Sequence, residues 1–205
     1  MTTLDAGSPQ ALTTQAFTAI CSKADNPVHG AQRSEIVGGK IGQFGRFEQS
    51  FTMRLVDWVA DAEKMLINQV HQEPDDLEGW VSPPLALILS GDGLYVDYRH
   101  SDASTSTKNW PRQNVLCNTV APLDMFINEP LNVAVDVQFG KAGTAKLTAS
   151  NSKGMVILAE HNIPIGYQNQ KIHLFHKMGL YRFDAEKSDV KTRTIAFSNI
   201  QTAFS

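Results

Sequence analysis

The sequence predicts an all-β protein, a β-sandwich or jelly roll. Three observations favour this fold class. Short segments of alternating apolar and polar residues recur along the chain, turns rich in glycine and asparagine separate them, and few segments carry the period of a helix. We expect residues 1–15 to form a flexible N-terminal arm and residues 16–205 a single domain, because 205 residues can bury a sizeable core.

The first element, residues 16–23, alternates too weakly to separate a strand from a helix. From Gln32 onward the alternation favours strands throughout. Gly91-Asp92-Gly93 predicts a hairpin turn between two of them. Two polar stretches, 73–82 and 101–114, predict loops long enough to border a binding groove. The predicted strands cover residues 47–58, 65–72, 85–90, 94–99, 131–139, 146–150, 155–161, 172–183 and 193–204.

The bulk composition excludes several classes of protein. Hydrophobic residues make up 42% of the chain and charged residues 19%, which is ordinary globular composition. No apolar run approaches the ~20 residues that span a bilayer, so we expect no membrane partner. The net charge of -3 argues against a nucleic-acid partner. Cys21 and Cys117 either form one disulfide or remain two buried thiols.

Three short stretches combine chemically capable side chains at strand spacing. Residues two or four positions apart in a strand point to the same face. If the three strands share a sheet, one surface carries two cations, an amide, an imidazole and a phenol. That set suits proton abstraction beside a carboxylate. The stretches contribute Arg33 with Glu35, Gln69 with His71, and Lys177 with Tyr181.

Each stretch also has a simpler interpretation. Arg33 and Glu35 can form an ordinary surface ion pair, or Glu35 can orient Arg33 so that its planar fork grips a carboxylate. His71 can be a structural histidine. The stretch that ends at Tyr181 can be a solvated sheet face. Gly179, in the middle of that strand, indicates close approach by a ligand.

Metal sites and paired carboxylates are weakly indicated. His173 and His176 are three residues apart, which in a strand places them on opposite faces, so we expect no zinc site. The acidic residues between 73 and 78 either bind calcium or form a solvated loop. Two facing carboxylates, as a glycosidase needs, do not stand out in the sequence.

The three stretches together resemble motifs of the jelly-roll polysaccharide lyases, a group that includes alginate lyases and glucuronan lyases. Arg33-Ser34-Glu35-Ile36 is similar to the Arg-Ser/Thr-Glu-Leu motif of the alginate lyases. Gln69-Val70-His71 matches their Gln-Ile/Val-His motif, and the segment 175–181 resembles Tyr-Phe-Lys-Ala-Gly-Val-Tyr. The order of the motifs agrees, and the resemblance runs from about Gln32 to Arg182.

Two positions depart from the family pattern. Val37 stands where the alginate-lyase motif usually carries a second arginine, and Arg54 or Arg99 is expected to replace it in substrate binding. Phe175 stands at the first tyrosine of the third motif, which leaves Tyr181 as the motif's one phenol. Both departures concern the identity of the substrate more than the reaction.

The resemblance implies a concanavalin-like β-jelly roll of two curved antiparallel sheets. It also implies cleavage of a uronic-acid polysaccharide by β-elimination. Arg33, Gln69 and His71 would bind the substrate carboxylate, and Tyr181 would take the C5 proton and return it to the leaving oxygen. A phenol has a reference pKa of ~10, so such a base needs nearby cations, and Lys177 is placed to help. For the opposite C5 epimer His71 would be the base and Tyr181 the acid.

The resemblance also sets the expected partners. We expect an anionic polysaccharide substrate such as alginate or glucuronan, no metal or organic cofactor, and a monomer. The expected location is extracellular or periplasmic, with the leader absent from this sequence, or virion-associated. Two alternatives stay open on the sequence alone. One is a non-catalytic carbohydrate-binding sandwich, and the other is a jelly-roll glycoside hydrolase.

Overall fold

The structure is a computed structural model that describes residues 12–28, 30–41, 45–72, 82–102, 113–167 and 174–205. Within those ranges the chain forms strands and two short 3-10 turns, Leu123–Met125 and Ala185–Lys187, and no α-helix. The all-β prediction is therefore confirmed. The strands in chain order are β1 Leu12–Ser22, β2 Gln32–Ile41, β3 Arg46–Val56, β4 Met65–Gln72, β5 Leu85–Ser90, β6 Gly93–Ser101, β7 Gln113–Pro122, β8 Leu131–Gln138, β9 Thr144–Asn151, β10 Val156–Asn162, β11 Gly166–Tyr167, β12 Leu174–Arg182 and β13 Thr192–Phe204.

The strands form the two sheets of a β-jelly roll. A six-stranded sheet has the order β1-β13-β3-β8-β9-β10. A seven-stranded sheet has the order β11-β6-β5-β4-β12-β2, with β7 paired to β6. Neighbouring strands are antiparallel, except that the short β11 runs parallel to β6. The sequence-distant strands β4, β12 and β2 thereby become neighbours.

The core lies between the sheets and follows from the strand alternation. On β3 every second side chain from Phe47 to Leu55 is buried, and the residues between them are more exposed. On β12 Met178 and Leu180 are fully buried against the other sheet. Burial of a large apolar side chain is worth about 1.5–3 kcal/mol, so this alternation determines which face of each strand is turned inward.

Two strands differ from the prediction. β1 begins at Leu12, inside the stretch expected to be a flexible arm, because ten of its residues pair with β13. β7, from Gln113 to Pro122, was not expected as a strand. Its sequence, QNVLCNTVAP, does not alternate, and its strand conformation comes from pairing with β6. Of the predicted loops 73–82 and 101–114, residues 73–81 and 103–112, including the candidate calcium loop, lie outside the described residues.

A buried ion cluster fastens one end of the sandwich. Arg182 donates from Nε to Glu63 Oε1 at 2.7 Å, and Arg193 donates from Nε to Glu63 Oε2 at 3.0 Å. These three side chains are at most 1% exposed. The other guanidinium nitrogens of Arg182 donate to backbone carbonyls of Cys21, Val190 and Lys191. The cluster joins the ends of β1, β12 and β13 to the segment that precedes β4.

Cys21 is a free, buried thiol, which settles the alternative left open for that residue. Burial raises the pKa of this thiol to about 11, so it is uncharged at neutral pH. In the part of the chain that the structure describes, we find no helix with the length and apolar character needed to cross a membrane.

Candidate active site

The three sequence motifs lie on three adjacent strands. β12 runs between β4 and β2 and pairs with both. In its register Lys177 is opposite Gln69 of β4, Gly179 is opposite Glu35 of β2, and Tyr181 is opposite Arg33 of β2. Residues separated by more than 140 positions in the chain are thus brought within one strand spacing, ~4.8 Å, of each other.

The motif residues share one face of the seven-stranded sheet. Met178 and Leu180 on β12 and Val70 on β4 are buried in the core. Because successive side chains of a strand point to opposite faces, the residues beside them point away from the six-stranded sheet. We call this surface the outer face. Its members include Lys177 and Tyr181 on β12 and Gln69 and His71 on β4.

A hydrogen bond links the two strands that flank β12. Gln69 Nε2 donates to Glu35 Oε1 at 2.6 Å. The bond spans β12 on the outer face, and both side chains are well covered, with Gln69 3% exposed. Burial raises the pKa of the Glu35 carboxyl, while the Gln69 hydrogen bond and the charges of Lys177 and Arg33 oppose that shift.

The guanidinium group of Arg33 lies over the ring of Tyr181. Its guanidinium carbon is 4.4 Å from the centroid of the phenol ring, which is a cation–π contact. Nη2 donates to the Val28 carbonyl at 2.9 Å. Nη1 is 3.9 Å from Glu35 Oε2, too far for a hydrogen bond, and Nε is buried without a hydrogen-bond partner among the described residues. The simple Arg33–Glu35 ion pair is therefore weak, and Arg33 keeps donors for a ligand.

Phe175 supports two of the polar groups. The His71 ring stacks on it with centroids 5.4 Å apart and an interplanar angle of 21°. Lys177 Nζ lies 5.2 Å from the same ring. In the sequence this position was only a departure from the family motif. The structure shows that its ring holds the imidazole and the ammonium in place.

A family comparison identifies the chain at this point. The family model for polysaccharide lyases matches residues 13–201. The chain belongs to the polysaccharide lyase family. It is an enzyme that acts on polysaccharides, so the binding-module and hydrolase alternatives are set aside. A search of curated proteins gives no match.

Solved structures similar to the lyase have the same fold. Endo-β-1,4-glucuronan lyase from Trichoderma reesei superimposes with a TM-score of 0.71 at 16% identity, over 94% of this chain and 87% of that one. An alginate lyase of polysaccharide lyase family 7 gives 0.55 at 16% identity, over 93% and 79%. The binding domain of botulinum neurotoxin DC, in complex with SialylT, gives 0.54 at 10% identity, over 95% and 42%. The last match shows that the fold alone does not define the activity.

Gly179 of the lyase is required by the backbone of the sheet, which explains the glycine without a ligand. Its φ of +148° is one that side-chain-bearing residues rarely adopt. An added Cβ would lie 2.1 Å from the Ser34 carbonyl oxygen and 2.7 Å from the Glu35 Cα. The close neighbour is therefore the adjacent strand β2. The β4 register also shifts between Met178 and Tyr181, which indicates a bulge at this glycine.

The two arginines expected to replace the second motif arginine lie elsewhere. Arg54 is exposed on β3 of the six-stranded sheet, because its neighbours Met53 and Leu55 face the core. The prediction that Arg54 lies near the motif residues is therefore wrong. Arg99 is on β6 of the seven-stranded sheet, four strand spacings or about 19 Å from β2. It is paired with Asp97 and donates to the Pro83 carbonyl at 2.8 Å.

Val37 itself is 67% exposed and lies opposite Lys177. Neither arginine occupies the neighbourhood of this position. At this point of the outer face the lyase therefore has a lysine on β12 and an exposed valine on β2. Arg33 lies over the motif phenol, and Lys177 is four residues away from it on β12.

A buried polar cluster lies directly behind the site, and the sequence did not indicate it. His176 Nε2 is 3.2 Å from Gln49 Nε2 and 3.1 Å from Asn68 Oδ1, and Gln49 Nε2 donates to Thr202 Oγ1 at 3.0 Å. Burial lowers the pKa of His176 to about 3, so its imidazole is neutral. One local signal was present. Asn68 and Gln69 are consecutive polar residues, and strand alternation turns one inward and the other outward.

Proposed function

We propose that the lyase cleaves a uronic-acid-containing anionic polysaccharide, such as alginate, glucuronan or a similar exopolysaccharide, by β-elimination. One observation carries the proposal. A guanidinium lies 4.4 Å above the ring of a phenol, and an amide and an imidazole lie on β4, two strands from Arg33. The named substrates of two similar structures, glucuronan and alginate, are both polyuronates. A polymer of this kind is met outside the cell, so we also propose extracellular or periplasmic action.

The first task in the reaction is to hold the substrate carboxylate. The C5 proton of a uronate is too weakly acidic to remove unless the adjacent carboxylate charge is neutralised. Nη1 of Arg33 has no hydrogen bond among the described residues, and a guanidinium is a planar donor suited to a carboxylate. Gln69 contributes the second N–H of its amide, and His71 contributes a ring nitrogen. Together they would stabilise the negative charge that develops on the carboxylate.

The second task is proton transfer, which we assign to Tyr181. As a phenolate its oxygen takes the C5 proton, the C4–O4 bond breaks, and a C4–C5 double bond forms. The resulting phenol then gives the proton to the leaving O4, so the enzyme ends in its starting state and no water is consumed. Arg33 over the ring would stabilise the phenolate before the first transfer and after the second. For the opposite C5 epimer His71 is the base and Tyr181 the acid.

Lys177 would bind the anionic chain beside the cleavage point. Its ammonium is held near the Phe175 ring and is one strand spacing from Gln69. With Arg33 it supplies two positive charges against the one carboxylate of Glu35. Binding should therefore weaken as salt rises, because the screening length shrinks to ~8 Å at physiological ionic strength.

A panel of defined polyuronates tests the proposed reaction. Elimination creates a conjugated double bond, so the ultraviolet absorbance of the unsaturated product should rise with at least one polyuronate. A neutral glucan is the matched control and should give no signal. Release of saturated oligosaccharides with uptake of water would contradict β-elimination. Salt-independent binding of the neutral glucan would contradict the assignment of an anionic substrate.

A further inference from the structure

Glu35 is a buried carboxylate in a surface that must receive anions. Its side chain is 6% exposed, and its charge would repel a polyuronate. The groups that face it are Gln69 from β4, Lys177 from β12 and Arg33 from its own strand. Of these, Gln69 makes the one hydrogen bond that the structure gives for Glu35 among the described residues. A role that outweighs the repulsion must therefore involve Gln69.

The hydrogen bond determines which way the Gln69 amide is turned. An amide group can be rotated so that its oxygen and nitrogen exchange places, and the two orientations have similar shapes. An ionised carboxylate only accepts hydrogen bonds, so it selects the orientation with the nitrogen toward β2. At 2.6 Å this is a short, charge-assisted bond. The second N–H of the same nitrogen is then left for another acceptor.

The route of the bond depends on the middle strand. It runs from β4 to β2 across β12, and Gly179, the residue of β12 opposite Glu35, carries no side chain. The Ser34 carbonyl and the Glu35 Cα approach Gly179 more closely than any Cβ would allow. The glycine thus lets β2 sit against β12 at the place where Glu35 reaches over it.

We propose that Glu35 is a positioning residue, which holds the Gln69 amide so that its second N–H is presented to the substrate carboxylate. This inference rests on the proposed function, because it assumes that Gln69 binds a uronate. In this proposal Glu35 orients Gln69, whereas the sequence suggested that Glu35 orients Arg33. It also explains why a lyase of polyanions keeps a carboxylate in its outer face.

Two substitutions separate the hydrogen bond from the charge. Glu35→Ala removes both, and kcat should fall ~10–100-fold, the range seen when residues that orient a functional group are removed. Affinity for the polyuronate should stay or increase, because a like charge is gone. Glu35→Gln keeps an acceptor oxygen and removes the charge. Its kcat should stay within about fivefold of wild type, since a neutral acceptor restores most of the bond.

The control and the overturning results are defined in the same assay. Glu48→Ala removes an exposed carboxylate from the six-stranded sheet and should change neither kcat nor affinity. The proposal is overturned if Glu35→Ala keeps kcat within about threefold of wild type, or if Glu35→Gln loses as much as Glu35→Ala. Should Glu35→Ala fail to fold, Glu35→Met fills the same volume without an acceptor and gives the same comparison.

A measurement without substrate distinguishes this inference from the proposed reaction. The side-chain amide protons of Gln69, assigned in nitrogen-15 spectra by their loss in Gln69→Glu, should exchange slowly in wild type and Glu35→Gln and fast in Glu35→Ala. Equal exchange in all three overturns the positioning role. If wild type cleaves no polyuronate while this pattern holds, the proposed reaction has failed and the Glu35–Gln69 contact stands by itself.

Discussion

Two regions of the lyase place an arginine over an aromatic ring, and they differ in how many hydrogen bonds the arginine makes. Arg193 lies 4.5 Å from the centroid of Trp58, and Arg33 lies 4.4 Å from that of Tyr181. All three guanidinium nitrogens of Arg193 donate hydrogen bonds. Arg33 has one hydrogen bond among the described residues, from Nη2, and its Nε is buried without a partner there.

The glutamates of the two regions differ in the same way. Glu63 receives Arg182 through both oxygens and Arg193 through one, and it has no exposed surface in its side chain. Glu35 receives Gln69 and stays 3.9 Å from Arg33. The same residue types therefore build a saturated structural cluster in one place and a surface with spare donors in the other. N–H groups without a partner beside a phenol can bind a ligand. In the buried cluster every charged group has to be hydrogen-bonded, because an unpaired buried charge would destabilise the fold.

The largest expected effect comes from breaking the saturated cluster. Glu63→Gln leaves Arg182 and Arg193 buried without their shared carboxylate, which should lower the free energy of unfolding by about 3–5 kcal/mol. Denaturant titration measures this. The matched change Glu35→Gln should cost less than about 1 kcal/mol, because it keeps a hydrogen-bond acceptor. Equal losses in the two variants would remove the distinction between the regions.

Removal of one oxygen from the unsaturated region should abolish most turnover without affecting the fold. Tyr181→Phe keeps the ring under Arg33, so unfolding and substrate binding should stay near wild type. If the phenol transfers the proton, kcat should fall by ~100-fold or more. Tyr95→Phe, on β6 of the same sheet, is the control and should retain activity. Near-normal elimination by Tyr181→Phe would exclude this residue from the reaction.

The neutral polar cluster behind the site should act through stability and respond to acid. The pKa of His176 is lowered to about 3 by burial, below the ~6.5 of an unfolded histidine. Below about pH 6.5 His176 therefore binds a proton in the unfolded chain but not in the folded chain. The free energy of unfolding consequently falls as pH falls. The loss from this residue should reach about 2 kcal/mol near pH 5.

The test of that prediction is the slope of unfolding free energy against pH. His176→Gln cannot titrate, so its slope between about pH 6.5 and pH 4 should be shallower than that of wild type, whatever its stability at neutral pH. Identical slopes would show that His176 is not the group that titrates. The variant also separates acid effects on folding from acid effects on the outer face.

The smallest expected effect comes from a substitution that tests whether the free N–H groups of Arg33 bind the substrate. Arg33→Lys keeps the positive charge and loses the planar fork and the flat contact with Tyr181, so kcat/KM should fall about tenfold. Arg54→Lys is the control on the six-stranded sheet and should leave kcat/KM unchanged. A loss at Arg54 equal to that at Arg33 would mean that the substrate also covers the six-stranded sheet.

Much of the fold could be predicted because strand alternation is a local property. Phe47, Phe51 and Met53 lie two or four positions apart within one short segment. Their spacing alone identified the buried face of this strand, without knowledge of which strands lie beside it. The same holds for Lys177 and Tyr181, which share a face in any strand. The prediction was poorest for β7, whose residues do not alternate and which is a strand because it pairs with β6.

The sequence by itself determined the all-β class, the family, and which motif side chains share a face within each strand. Only the tertiary structure decided which side chains are in contact. It placed Arg54 on the opposite sheet, paired Glu35 with Gln69 instead of Arg33, and placed Arg33 over Tyr181. The reason is that strand pairing and register depend on long-range packing and on bulges such as the one at Gly179, and a shift of one residue there would turn every following side chain to the other face.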